Sequence, residues 1–307
     1  MAIKLGTSNI SKVYLGATEV SKIYLGATEV YSAVSLLLDT YTGAGFAYSF
    51  RTLRAAYSGN SIRARESAGS TEQNIGFTSG VLDSSSLLTF TGSNDGLVPI
   101  IYDQSTNGNN LTQTTASNQL KIVNSGALVT SNSLAATQGA SNRGGETSSI
   151  AFSGMTDIWF FDVIDVTNTS TPQLLYETSP NYASNTGAFL ITIESNVLRV
   201  SNKNSSNEGR NNYNISTGRQ IISIRMRAGV SIATFSEVYI NGIQISISAT
   251  TGTGNSIFSN QVLYVSARGG AAFGFRGKRQ ASIFYPSDQS SNRLGIETHL
   301  NAYYGIY

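Results

Sequence analysis

The acidic side chains are the groups in this sequence whose chemistry could cleave a bond. Cleavage of a glycosidic linkage normally uses two carboxyl groups, about 5–5.5 Å apart in retaining enzymes and about 6.5–9.5 Å apart in inverting ones. The chain has 18 acidic residues, and those beside polar turns or strand ends are Glu66, Glu72, Asp103, Asp157, Asp162, Asp165, Glu177 and Glu194. No spacing among them identifies a catalytic pair.

Nucleophilic catalysis by a triad would depend on His299, the only histidine of the chain. The sequence around it has helical spacing, and we expect His299 on the surface of that helix in a structural role. The chain has no cysteine, which excludes disulfides and thiolate metal sites.

The segment Tyr102–Asn110, YDQSTNGNN, has two interpretations. Asp103, Asn107 and Asn109 could supply oxygen ligands to Ca²⁺, which prefers hard oxygen donors. The same residues commonly form turns in which short polar side chains bond their own backbone. We expect the turn and no cofactor, with calcium as the alternative.

Two polar segments could contact a sugar. Residues 202–214 form an Asn-rich loop, and loops on rigid sandwiches often carry recognition. Residues 267–279 combine glycines with basic residues but lack the strand-to-helix context of a phosphate loop. We expect a basic strand junction there, with contact to an anionic glycan as the alternative. The candidate glycan-binding residues are Tyr182, Asn211, Asn212, Tyr213, Arg268 and Arg276.

The composition favours strands and turns. Hydrophobic residues make up 40% of the 307 residues and charged residues only 12%, about half the usual charged share. A net charge of +2 offers no broad basic surface for nucleic acid. No apolar run approaches the roughly 18 residues of a membrane span. The opening MAIKLGTSNI is not a signal peptide, so we expect a soluble protein made without signal-peptide export.

Strand-like runs recur between clusters of Gly, Asn and Ser, a rhythm typical of antiparallel sandwiches. They are Leu97–Tyr102, Ile158–Ile164, Phe189–Glu194, Val197–Val200, Ile221–Met226, Val238–Ile247, Val262–Val265 and Ala281–Tyr285. In one, Ile222, Ile224 and Met226 share a face. In another, Asn241-Gly242 predicts a type I′ hairpin, with Ile243, Ile245 and Ile247 pointing inward.

Two helices are predicted. The ending from Gln289 to Tyr303 has helix-spaced apolar residues, which are Ile296, Leu300, Tyr303 and Tyr304. Gly295 weakens that helix. A few helical turns are also predicted near Phe50–Tyr57.

The chain opens with three copies of one phrase: residues 3–10, 13–20 and 23–30. Each copy predicts a short strand, a Gly-containing turn and a second short strand. A unit of this size cannot bury its own face, so the ribbon either folds back on the main domain or serves assembly. We favour assembly, with anchoring by Val13, Tyr14, Leu15, Val20, Ile23, Tyr24, Leu25 and Val30.

The repeated K-[VI]-Y-L-G-x-T-x-V resembles the N-terminal attachment segments of tailed-phage virion proteins, such as head-fibre and tail-appendage proteins. Residues 49–77 and 100–124 resemble the catalytic sandwich of family-B α-L-arabinofuranosidases, and the hairpin and C-terminal segment resemble laminin-G-like modules. These resemblances imply an all-β, concanavalin-A-like jelly-roll sandwich over residues 33–307 with a short C-terminal helix. An N-terminal repeated β-ribbon, residues 1–32, precedes it.

We therefore expect a non-enzymatic structural protein of a bacteriophage particle, made in the host cytoplasm and exposed on the virion. Its N-terminus would anchor it to capsid or tail proteins, and its sandwich would bind host-surface polysaccharide. By analogy with fibres, we expect a homotrimer of sister subunits. The alternatives are a glycan depolymerase of the arabinofuranosidase type and a decoration protein without ligand.

Overall fold

The structure is a computed structural model. It describes residues 35–307 except 180–181, 205–206 and 253–256, together with short backbone stretches among the first 34 residues. No helix in this described part is long and apolar enough to cross a membrane.

The described helices are α1 (Leu37–Thr40), α2 (Ser84–Thr91) and α3 (Arg293–Tyr304). The strands are β1 (Lys4–Leu5), β2 (Ser8–Asn9), β3 (Tyr14–Leu15), β4 (Thr18–Glu19), β5 (Lys22–Leu25), β6 (Thr28–Ser32), β7 (Phe46–Ser49), β8 (Ile62–Glu66), β9 (Glu72–Ile75), β10 (Phe77–Thr78), β11 (Val81–Leu82), β12 (Gly96–Ile101), β13 (Leu111–Thr112), β14 (Leu120–Asn124), β15 (Ala127–Leu128), β16 (Thr130–Ser131), β17 (Leu134–Ala135), β18 (Thr137–Gln138), β19 (Gly145–Ile150), β20 (Asp157–Val166), β21 (Gln173–Thr178), β22 (Phe189–Glu194), β23 (Val197–Lys203), β24 (Glu208–Asn214), β25 (Gly218–Arg227), β26 (Ser236–Ile240), β27 (Ile243–Ile245), β28 (Ile247–Thr251), β29 (Gln261–Val265) and β30 (Lys278–Tyr285).

The N-terminal repeat forms the paired short strands that the sequence predicts, while most of its predicted turns lie outside the described residues. Strands β1–β2, β3–β4 and β5–β6 pair as three antiparallel hairpins, and each copy closes at the same point of its phrase. Among the predicted anchoring residues, Leu15 is 79% exposed, and Val20 and Ile23 are partly buried. Val13 and the side chains of Tyr14, Tyr24, Leu25 and Val30 lie outside the described residues. Anchoring by this segment, and its separation from the sandwich, stay predictions.

The main body is the predicted all-β sandwich. One sheet, called the open sheet, has the order β9–β8–β12–β13–β19–β29–β21–β22–β23–β24–β28. The other, called the covered sheet, has the order β7–β30–β20–β25–β26–β27. Strands β14 and β18 connect the two sheets through pairings with β12 and β30. All of these pairs are antiparallel.

Apolar side chains from the inner faces of both sheets fill the space between them. Phe160 on β20 lies 5.1 Å from Phe284 on β30 and 4.3 Å from Tyr176 on β21, measured between ring centroids. Full burial of each such ring stabilises the fold by about 1.5–3 kcal/mol. The predicted inward residues of β25 belong to this same core: Ile222, Ile224 and Met226.

The outer face of the covered sheet is buried by helices α1 and α3. Its apolar residues are Trp159, Phe161, Val163, Ile221 and Tyr285, and they pack with Ile296, Leu300 and Tyr304 of α3. The predicted helix is therefore confirmed, but it begins at Arg293 rather than at Gln289. The preceding residues form turns instead, since Asp288 Oδ1 accepts the Ser290 N–H at 2.8 Å and Gln289 O accepts the Asn292 N–H at 3.0 Å.

The predicted helix near Phe50–Tyr57 is wrong. The Thr52 N–H donates to Gly80 O, and the Leu53 N–H donates to Gln104 Oε1, both at 2.8 Å. Because these backbone groups bond to distant segments, they cannot continue a helical ladder. The sequence analysis missed α2, which begins after Asp83, whose carboxylate accepts the Ser86 N–H at 3.0 Å.

The Asn241-Gly242 hairpin is confirmed, with φ of 52° and 80° at the two turn residues. Ile245 and Ile247 pack against the interior core. The inward prediction for Ile243 is wrong, because this side chain is 69% exposed. It lies directly after the turn on β27, the last strand of the covered sheet, before the chain crosses into β28 of the open sheet.

Candidate functional site

Two glutamates flank one tyrosine on the outer face of the open sheet. Glu146 on β19 lies opposite Tyr264 on β29, and Tyr264 lies opposite Glu177 on β21. Residues directly opposite each other on adjacent strands point to the same face. Helices α1 and α3 pack on the covered sheet, and α2 places Leu87 in the core between the sheets. These three side chains therefore form a row on the outer face that helices α1 and α3 leave uncovered.

Glu177 is the buried carboxyl of this row. Its side chain has no exposed surface, and its Oε2 accepts a hydrogen bond from Arg268 Nε at 2.7 Å. Its Oε1 accepts the Tyr182 backbone N–H at 3.3 Å. Burial raises the pKa of the Glu177 carboxyl, and the hydrogen bond and charge of Arg268 oppose part of that rise.

Glu146 is the exposed carboxyl of the row. Its cross-strand neighbour is the largely buried Tyr264. Burial raises the pKa of Tyr264, and the negative charges of Glu146 and Glu177 raise it further. Tyr264 therefore stays neutral between the two carboxyl groups.

The strand spacing sets the distance between the two glutamates. Adjacent strands lie about 4.8 Å apart, so the backbones of Glu146 and Glu177 are about 10 Å apart across two spacings. Their side chains project from the same face. Side chains on these backbones can therefore bring the two carboxyl groups to the distances that glycosidic cleavage requires.

The loop that follows β29 (266–277) holds Arg268 over Glu177. The Arg268 N–H donates to Ala272 O at 2.7 Å, and the Ala272 N–H donates back to Arg268 O at 3.1 Å. Gln113 Nε2 donates to Gly270 O at 2.9 Å and ties the loop to the neighbouring end of β13. The loop is therefore fixed at both its own turn and the sheet.

Some predicted glycan-binding residues come together here. Tyr182 and Arg268 both contact Glu177, one through its backbone and one through its side chain. Asn212 lies farther across the open sheet on β24. Arg276 is exposed at the far end of the loop.

Asn211 and Tyr213 do not lie where a glycan could reach them. Both are buried, with Asn211 Nδ2 donating to Ser236 Oγ at 3.1 Å and the Tyr213 hydroxyl donating to Ser236 O at 2.8 Å. Alternation along β24 turns these two residues inward. The run of polar residues in this strand hid that alternation from the sequence analysis.

The Asp103 segment forms the predicted turn. Asp103 Oδ1 accepts the Ala47 and Ser105 N–H groups at 2.9 and 2.8 Å. Its Oδ2 accepts the Ser105 hydroxyl at 2.7 Å and the Asn109 N–H at 3.1 Å. Asn107 and Asn109 donate their side-chain amides to backbone carbonyls. The polar groups therefore bond one another, which does not support the calcium alternative.

The other acidic candidates are engaged elsewhere. Asp162 lies in the core, where it accepts hydrogen bonds from Arg279, Tyr176 and Ser282. The remaining partners are Arg225 for Asp157, Arg199 for Glu194, Arg63 for Glu72, Ser131 for Asp165 and backbone N–H groups for Glu66.

His299 is half-buried rather than on the surface of α3. Burial and the positive charge of Arg51 lower its pKa to about 4. Among the described residues, Arg51 is the charged group that acts on this neutral histidine, in place of the carboxylate that would orient a general base.

The sequence analysis named Glu177 but missed Glu146 and Tyr264. The signal for their orientation was present, because both alternate with apolar or buried neighbours along short strands. The sequence did not show that these residues lie close to Glu177. Their proximity depends on strand pairing with segments that lie 31 and 87 residues from Glu177 along the chain.

The comparisons with known proteins find one family model and a group of solved structures that share the fold. Residues 39–185, somewhat less than half of the chain, match the model of the α-L-arabinofuranosidase B catalytic domain. The search of curated proteins gave no significant match.

Solved structures share the fold at low sequence identity. An arabinofuranosidase complexed with arabinofuranosyl-α-1,2-xylobiose is 17% identical with a TM-score of 0.61, covering 87% of this chain and 64% of that one. An α-L-arabinofuranosidase of glycoside hydrolase family 54 soaked with a cyclic sulfate inhibitor has a TM-score of 0.59 at 17% identity, with the same coverage. This chain thus spans less than two thirds of the length of these structures.

The prediction of a non-enzymatic chain is wrong by these comparisons, since the matching family model is that of a catalytic domain. The predicted arabinofuranosidase-like sandwich is confirmed at the level of the fold. Nothing in the comparisons supports a phage origin. The chain resembles the arabinofuranosidase B catalytic domain in sequence over residues 39–185 and in fold over most of its length.

Proposed function

We propose that this chain is a glycoside hydrolase domain that acts on arabinofuranosyl-bearing glycans at the outer face of the open sheet. The observation that carries the proposal is the pair of glutamates on either side of Tyr264. The match of residues 39–185 to a catalytic-domain model supports it. Known arabinofuranosidases with this fold suggest the substrate class.

The environments of the two carboxyl groups suggest their roles. Glu177 is buried with a raised pKa, which favours a proton donor to the glycosidic oxygen. Glu146 is exposed and lies opposite a neutral tyrosine, which suits a carboxylate that stabilises or attacks the sugar carbon. Two carboxyl groups in different environments are the usual means of dividing these roles.

Arg268 has to move for Glu177 to meet a substrate. Its guanidinium covers the carboxyl, and its side chain is itself 35% exposed. A ligand that displaces the guanidinium and keeps the carboxyl out of water would raise the pKa of Glu177 further, because the opposing charge would be lost. The ion pair thus holds Glu177 in place until a ligand displaces Arg268.

The test is sugar release from 4-nitrophenyl α-L-arabinofuranoside by purified full-length chain. Glu177→Gln and Glu146→Gln should each lower kcat about 100-fold or more, because general acid–base and covalent steps contribute factors of that size. The matched control is Glu194→Gln. Glu194 lies four residues along β22 from the partner of Glu177, about 13 Å away, and should leave the rate unchanged. Release that survives both Glu146→Gln and Glu177→Gln would contradict the proposed pair.

The virion assignment remains a separate prediction. No comparison tests the predicted homotrimer, the capsid or tail partners, the host polysaccharide or the location on the particle. A chain that lacks residues 1–32 and still joins particles normally would refute the anchoring role of the repeat.

A further inference from the structure

We propose that Phe273 is the sugar-stacking residue of this site. This inference goes beyond the proposed function in naming a specificity-determining residue, and it rests on that function for the place where the ligand binds. Three independent features of Phe273 carry it: its exposure, its backbone conformation and its position beside Arg268.

Phe273 is the one phenylalanine among the described residues that is exposed, with 47% of its surface accessible. The other described phenylalanines pack in the interior or against neighbouring elements. A single exposed aromatic is common on protein surfaces. Here, however, it stands in the loop that covers the buried carboxyl, where a flat apolar ring can meet the apolar face of a sugar.

The backbone of Phe273 is in the left-handed region, with φ of 52°. For a bulky residue this conformation costs of order 1–3 kcal/mol and persists only where the surroundings impose it. The Leu174 N–H donates to Phe273 O at 2.7 Å and holds the strained residue to β21, the strand that carries Glu177. A glycine would satisfy this conformation without strain, so the phenylalanine ring is retained at a cost to stability.

The ring links the loop to the candidate acid. The Arg268 guanidinium carbon lies 4.9 Å from the Phe273 ring centroid, a cation–π contact, and Arg268 Nε lies 2.7 Å from Glu177 Oε2. A sugar that stacks on Phe273 would therefore sit beside the guanidinium that covers Glu177. Binding at the ring and uncovering of the carboxyl would then occur at one place.

The test compares three variants of the full-length chain. Phe273→Ala should weaken binding of arabinofuranosyl-α-1,2-xylobiose about three- to tenfold, as expected for loss of one aromatic contact. Phe273→Trp should preserve binding. Phe273→Gly should weaken binding like alanine but raise Tm, because it relieves the backbone strain. Ile243→Ala removes another exposed apolar side chain, which lies on β27 of the covered sheet. This control should leave the binding affinity unchanged.

Calorimetric affinities, with sugar release followed in parallel, separate this inference from the proposed function. If Phe273→Ala binds more weakly and the wild type binds without releasing sugar, the result would support stacking on Phe273 and refute hydrolysis. If Phe273→Ala releases sugar with unchanged affinity and KM, the result would refute stacking on Phe273 and support hydrolysis. A wild type that binds neither this oligosaccharide nor any glycan of a broad array would refute the sugar-stacking role of Phe273.

Discussion

At the residue scale, burial decides what each titratable group can do. Glu177 and His299 are both removed from water, and burial shifts both toward their neutral forms. For Glu177 this produces a candidate acid next to an arginine that can be displaced. For His299 it removes the only histidine from catalysis near neutral pH.

The His299 shift gives a prediction with a definite sign. Its pKa is about 4 in the folded chain against 6.5 when unfolded, so the unfolded state binds more protons between those values. Stability from neutral His299 is complete above pH 6.5 and is lost as pH falls toward 4. The stability difference between wild type and His299→Gln should therefore shift against the wild type on acidification, as urea unfolding at several pH values would show.

Arg51→Met should raise the pKa of His299 in an NMR titration. An unchanged pKa would contradict the assigned charge effect.

At the element scale, close backbone contacts place the loop that carries Arg268 and Phe273. A Cβ on Gly139 would lie 1.8 Å from Phe275 O, and one on Gly274 would lie 1.9 Å from Ala140 O. The Gly139 N–H also donates to Gly277 O at 3.1 Å. Two stretches of backbone thus approach more closely than any side chain would allow.

Gly139→Ala should therefore destabilise the fold by about 1–3 kcal/mol, as overpacking against rigid backbone does. It should also weaken glycan binding, because the loop must shift. Gly76→Ala is the control, since the nearest atom to a Cβ there is 3.7 Å away. Equal free energies of unfolding for the two variants would show that the approach is looser than described.

The elements also show what sequence could and could not predict. The apolar run of β20, the alternation of Ile222, Ile224 and Met226 on β25 and the Asn241-Gly242 turn were sufficient to predict those elements, because local pattern and burial agree there. The Phe50–Tyr57 prediction failed because backbone N–H groups of this segment donate hydrogen bonds to Gln104 and Gly80, which overrides local helical spacing. The Glu146–Tyr264–Glu177 row was beyond reach, since strand order in a sandwich is set by long-range packing.

At the scale of the whole molecule, helices α1 and α3 cover the outer face of one sheet, and the proposed site lies on the outer face of the other. The described residues of both hydrophobic cores lie between Leu37 and Tyr304, and we predict that the sandwich folds without the N-terminal hairpins. Removal of residues 1–32 should therefore leave Tm unchanged in calorimetry. A large fall in Tm would mean that the repeat packs against the sandwich as part of its fold.

The most direct test of the central claim is ¹H NMR of the full-length chain incubated with arabinofuranosyl-α-1,2-xylobiose. The account predicts line broadening of the sugar signals on binding, followed by the appearance of free arabinose, with release abolished in Glu177→Gln. Broadening without free arabinose over a long incubation would make the chain a glycan-binding domain and contradict the catalytic assignment. An unchanged spectrum would contradict both binding and hydrolysis of this substrate class.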